Sequence, residues 1–66
     1  MKNTLKVERA KRNMTQQDLA EKIGVSRQTI NSIEAERYIP STVLALKIAA
    51  YFEVAVNDIF KLDDDD

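Results

Sequence analysis

Cysteine, histidine and tryptophan are absent from this 66-residue chain, and it holds one glycine and one proline. Without cysteine there is no disulfide, and without cysteine or histidine the usual zinc sites are excluded. Catalysis loses its commonest proton carrier and its best thiol nucleophile. A single glycine rules out the glycine-rich loop with which many enzymes cradle phosphates. The four aspartates that end the chain have no rigid frame to hold a metal. The chain therefore reads as a non-enzyme that uses no metal and no cofactor.

Long apolar runs are missing too. The N-terminal stretch has none of signal-peptide length, and no segment approaches the roughly 20 apolar residues of a membrane span. The expectation is a soluble cytoplasmic protein with no membrane partner. A chain this short buries only about 60% of its unfolded surface, near the lower limit for folding alone. Efficient helix packing and self-association are what remain to stabilise it. No length is left for a ligand-binding domain, so regulation falls to another regulatory protein, to the dimer equilibrium or to abundance.

Charge of either sign is nearly balanced, at a formal net of -1. Four of the eleven acids are Asp63 to Asp66; setting them aside leaves ten basic residues against seven acids, or +3. Lys2 to Arg12 carries five basic residues and one acid, Glu8. A basic body with an acidic tail is compatible with a polyanionic partner, although the same charges also serve solubility. Residues 1–62 form the expected domain. Residues 63–66 form a disordered acidic tail, or a weak phosphate mimic competing for the basic face.

What the sequence does contain is a helix pattern with punctuation. Five helices are expected: Leu5 to Arg12, Gln16 to Ile23, Arg27 to Glu34, a fourth capped by Ser41 and running to Phe52, and Val56 to Phe60. Thr15 caps the second, with Asp18 three residues on, and Leu19, Ala20 and Ile23 mark its apolar face. Gly24 falls where that helix must stop and turn. Ser26 caps the third, whose apolar side is Ile30 and Ile33. Pro40 keeps the residues before Ser41 out of helix. Ala55 offers the last helix no side-chain acceptor. Leu19, Ala20, Ile23, Ile30, Ile33, Leu44, Ile48, Ala49, Phe52 and Ile59 suffice for one core.

The polar side of the third helix is unusual. It shows Arg27, Gln28, Thr29, Asn31 and Ser32, with no Glu or Lys from Gln28 to Ser32. A merely solvated helix favours long charged residues, which form better helix than Asn, Thr and Ser. These shorter polar side chains suit base edges: Arg pairs with guanine, and Gln or Asn with adenine. Arg27 is assigned to a guanine or its adjoining phosphate and Gln28 to adenine. Thr29 offers a methyl to thymine or a hydroxyl to phosphate. Two short helices, a glycine turn and this face make double-stranded DNA the expected partner.

In order and spacing, the fragments resemble the Cro/C1-type (Xre-like) helix-turn-helix repressors in their short single-domain form. Met14-Thr15-Gln16, Asp18-Leu19-Ala20, Gly24-Val25-Ser26, Ile30-Asn31-Ser32-Ile33-Glu34, Pro40-Ser41, Ala45-Leu46-Lys47-Ile48-Ala49 and Asp58-Ile59-Phe60 carry the likeness. It spans about Leu5 to Leu62. The resemblance implies an all-α, five-helix, lambda-repressor-like DNA-binding domain acting as a homodimeric repressor. It also implies a short terminal β element from Met1 to Asn3 and Phe60 to Leu62. Gln16 then contacts phosphate while orienting Gln28 or a base. Ser26, Arg37, Tyr38, Lys22 and Arg12 become further DNA-backbone candidates, with Tyr38 donating its hydroxyl or packing on Pro40. Arg9 and Glu34 become a salt bridge between the first and third helices. Val54, Val56, Ile59, Phe60 and Leu62 exceed what one small core covers; the dimer interface is assigned to this set, of which a part forms it, and the alternative is a better-wrapped monomer core. The competing class is a protein-interaction module of the same fold without useful DNA affinity.

Three departures from the family pattern stand out. Ala35-Glu36 stands where Asn-Gly is usual, and a left-handed glutamate costs roughly 1–2 kcal/mol. That strain argues for a differently shaped turn and a redirected Arg37. Glu53 occupies a spot often given to glycine or asparagine. Val7-Glu8 replaces the more common polar residue followed by leucine.

Overall fold

A computed structural model describes residues 1–66. Its elements run β1 (Lys2–Asn3), α1 (Leu5–Lys11), α2 (Gln16–Ile23), α3 (Arg27–Glu34), α4 (Thr42–Phe52), α5 (Val56–Ile59) and β2 (Phe60–Lys61). Helices with short-range caps begin where the sequence places them. The Thr15 hydroxyl accepts from the Asp18 N–H and the Asp18 carboxylate accepts from the Thr15 N–H, both at 2.9 Å. Ser26 and Ser41 accept from the N–H of Thr29 and Leu44. Each satisfies a backbone donor that the first helical turn leaves without a partner. Gly24 ends α2 in the left-handed conformation at φ 86°.

The uncapped start of α5 has a remedy at the other end of the turn. Asp58 accepts from the Ala55 N–H at 3.1 Å, so half of a capping box forms without a side-chain oxygen on residue 55. The two strands pair antiparallel, with Lys2 opposite Lys61 and Asn3 opposite Phe60. Asn3 ties this ribbon to two helices: its amide nitrogen donates to the Ile33 carbonyl at 2.8 Å and its oxygen accepts from the Leu5 N–H. Asp63 to Asp66, the stretch expected as a disordered tail, close a turn in which Asp66 accepts from the Asp63 N–H. Both carboxylates lie within 3.1–3.3 Å of the Met1 ammonium. Hydrogen bonding to Asp63 raises the pKa of that ammonium above its usual value.

The core is Leu5, Leu19, Ala20, Ile30, Ile33, Ile48, Ala49, Phe52, Ile59 and Phe60. Leu5 and Phe60 replace Ile23 and Leu44 of the expected set, which lie half-buried at its margin. α1 turns its Glu8 inward and leaves Val7 51% exposed, because Arg12 and Lys11 pair with the Glu8 carboxylate. Burial pushes that carboxyl up, but the hydrogen bonds from Arg12 and Lys11 together hold it below its usual range. No helix is long and apolar enough to cross a membrane.

Glu36 corrects one expectation. It adopts φ 62°, so the turn keeps the shape a glycine would give it and carries the strain instead. The N–H groups of Glu36 and Arg37 then reach back to the Ile33 and Ser32 carbonyls, closing the end of α3. Glu53 does the same after α4, at φ 57° and ψ 43°.

Candidate nucleic-acid interface

α2 and α3 cross with Leu19, Ala20, Ile30 and Ile33 in the core between them, which fixes the outward side of α3. On that side Arg27, Gln28, Asn31 and Ser32 join Arg37, from beyond the helix, around an open cleft of about 480 Å³. All five lining residues are polar, two are cationic and none is acidic. A second depression alongside is lined by Ser26, Gln28, Thr29, Ser32 and Tyr38. The structure thus gathers the expected base-reading set, and Ser26, Arg37 and Tyr38 with it, into one continuous polar face. Ser26 has a structural duty there: it caps α3 and its hydroxyl shares a 2.9 Å hydrogen bond with Thr29.

Behind this face lies a partly buried ion pair. The Arg9 guanidinium donates from Nε to Glu34 Oε2 at 2.6 Å and from Nη2 to Oε1 at 2.9 Å. Its third contact is the Met14 carbonyl, at 2.7 Å. The two side chains are only 12% and 8% exposed. Hydrogen bonding to Glu34, against the opposing effect of burial, raises the Arg9 pKa above its normal value. The pair joins α1, the loop before α2 and the last turn of α3.

Gln16 bridges the ion pair and the cleft. Its Nε2 donates to Glu34 Oε1 at 3.2 Å, and its Oε1 accepts from Asn31 Nδ2 at 3.4 Å. Gln28, the partner expected for it, takes no part in this arrangement, and Asn31 bonds Gln16 instead. Arg37 Nη2 donates to Asn31 Oδ1 at 2.9 Å. No helical spacing predicts that contact. It arises because the left-handed Glu36 folds the chain back along α3.

Four expected site residues lie elsewhere. Arg12 is held away from the cleft: it donates to the carbonyls of Glu8 and Phe52 and to the Glu8 carboxylate. Its guanidinium also sits 4.5 Å above the Phe52 ring. A cation at the end of α4 satisfies carbonyls the helix leaves open, so Arg12 acts as a C-cap there. Lys22 lines a different groove with Ile23, Lys47, Ala50 and Tyr51. Ile59 and Phe60, assigned above to a dimer interface, are 0% and 7% exposed within a single protomer. Both belong to the hydrophobic core, which narrows the expected interface to Val54, Val56 and Leu62. Leu62 is 80% exposed.

Comparison with known proteins agrees with this geometry. A family model described as Helix-turn-helix matches residues 5–59. An uncharacterized HTH-type transcriptional regulator of Methanocaldococcus jannaschii is 58% identical over 66 residues, covering the whole of both chains. A protein of the same description from Archaeoglobus fulgidus is 46% identical over all of this chain and 93% of its own. The Bacillus subtilis HTH-type regulator YgzD is 43% identical, over 98% of each.

Proposed function

Because the chain belongs to the Cro/C1-type helix-turn-helix family of DNA-binding transcriptional regulators, we propose that it acts as a homodimeric repressor reading a two-fold symmetric operator. Each protomer inserts α3 into one major groove, as recognition helices of this motif do. Arg27 takes a guanine edge or its phosphate, and Gln28 and Asn31 read adenines. Thr29 and Ser32 are short enough to let the helix approach and contact a thymine methyl or a phosphate. Gln16, at the start of α2, and Ser26 lie by helix N-termini, where free N–H groups favour a phosphate. Arg37 and Tyr38 flank the cleft on the backbone side. Two protomers joined through Val54, Val56 and Leu62 within the 1–62 domain set half-sites about 34–36 Å apart.

One observation carries this reading: an α3 face lined wholly by polar residues, with Arg27 and Arg37 in it and no acid. Such a surface attracts a polyanion and presents donors and acceptors to its bases. The test is selection from randomised duplex DNA with purified protein at about 0.1 M salt, where attraction beyond roughly 10 Å is screened. The expected product is a palindrome with half-sites one helical turn apart. Weak binding that vanishes with added salt, and no enriched sequence, would refute it in favour of a protein-interaction module.

A further inference from the structure

The polar side chains behind and within the cleft form one chain of hydrogen bonds with a fixed direction. At one end stands the Glu34 carboxylate, which only accepts. It therefore requires the NH₂ of Gln16 to face it, and the 3.2 Å contact is made by Nε2. The Gln16 oxygen is left pointing at Asn31, whose Nδ2 donates to it. At the other end stands the Arg37 guanidinium, which only donates. It requires an oxygen, and Asn31 Oδ1 meets it at 2.9 Å. An acceptor-only group at one end and a donor-only group at the other thus impose the same orientation on both amides.

This arrangement uses one of the two N–H groups on Asn31 Nδ2 and one of the two lone pairs on Oδ1. One donor and one acceptor remain, the pair that the N7 and N6 groups of adenine require. An asparagine amide free to flip would offer this edge reversed for part of the time. We propose that Arg37 is a specificity-determining positioning residue, which locks the Asn31 amide for base reading instead of acting only as a phosphate anchor. The inference rests on the DNA-reading function proposed above and adds the means by which one of its readers is oriented. Arg9 and Glu34 contribute from the opposite end through Gln16.

The two roles of Arg37 leave different marks. A phosphate anchor, when removed, weakens binding to all sequences alike and lowers the salt slope by about one. A positioning residue, when removed, relaxes the one base pair that its client reads. The test puts the full-length wild type, Asn31→Ala, Arg37→Ala and Arg37→Lys through the same duplex selection. Each is first checked for a folded amide spectrum, and the Asn31 side-chain NH₂ resonances are followed without DNA. Asn31→Ala is expected to relax one base pair per half-site. Arg37→Ala should relax that same base pair, by about two- to tenfold, and move the Asn31 NH₂ resonances. Arg37→Lys keeps a donor and should retain most of the preference.

If Arg37→Ala does not fold, Gln16→Ala removes the other support of the same amide and is expected to relax the same base pair. Uniform weakening with the base preference and the Asn31 resonances unchanged would overturn the inference while leaving the proposed function standing. A wild type that selects no sequence would overturn both.

Discussion

Removal of Arg9 is the sharpest perturbation of the scaffold behind the cleft. In Arg9→Ala the Glu34 carboxylate, only 8% exposed, loses both guanidinium bonds and keeps a single donor in Gln16. The Met14 carbonyl loses its 2.7 Å donor as well. Breaking a buried pair from one side costs about 3–5 kcal/mol, because the surviving charge stays without compensation. At roughly 0.05–0.15 kcal/mol per residue, a domain of this size holds only about 3–10 kcal/mol in total. The variant should therefore sit at or near the edge of folding. Each kcal/mol moves the melting temperature of such a domain by roughly 4–8 °C, so a fall of more than about 10 °C is expected by circular dichroism. Adding Glu34→Ala removes the orphaned carboxylate, and the double variant should be more stable than the sum of the single losses predicts, with a coupling of about 0.5–3 kcal/mol. A single variant melting within about 2 °C of wild type would show that the ion pair adds no appreciable stability.

Asp18 ties stability to acid. The Thr15 N–H, and then its hydroxyl, hold the Asp18 carboxyl below its usual 3.8. A depressed folded-state pKa stabilises the fold above the unfolded value and ceases to do so as pH falls through the folded one. Urea midpoints should show Asp18→Asn losing stability near neutrality, with the gap to wild type closing below about pH 4; a gap independent of pH would contradict this. At Glu36, φ 62° favours glycine. The relief of about 1–2 kcal/mol of strain, less about 0.4–1 kcal/mol for a freer unfolded chain, makes Glu36→Gly stabilising, and a lowered urea midpoint would disprove it. Ile59→Ala should cost about 2–5 kcal/mol as a core truncation. Leu62→Lys should leave folding intact and weaken self-association in sedimentation equilibrium; an unfolded Leu62→Lys, or unchanged association, would reject that division.

The features legible in the sequence are those fixed within a few residues. Thr15, Ser26 and Ser41 each meet an N–H three residues on, and α2, α3 and α4 start where those caps put them. Gly24 marks its turn because only a residue without Cβ adopts that φ freely. The polar set on α3 was readable because one helix face carries it. Features set by distant partners were not readable. Arg12 looks like a surface cation until α4 brings the Phe52 ring and carbonyl beneath it. Phe60 looks like spare apolar surface until β1 pairs beside it. The Asn31–Arg37 contact depends on a left-handed Glu36 that local preference disfavours. The Asp58 bond to Ala55 did carry a signal: its spacing repeats that of Asp18 after Thr15.

If α3 reads bases from the major groove, guanine N7 reports it, because that atom lies in the major groove alone. Methylation interference at N7 on the selected duplex tests it most directly. Two clusters of interference are expected about one helical turn apart on one face of the duplex, with one guanine in each lost from the pattern in Arg27→Ala. Interference absent from N7 would contradict major-groove reading, whereas a pattern retained by Arg27→Ala would move Arg27 from the guanine edge to its phosphate.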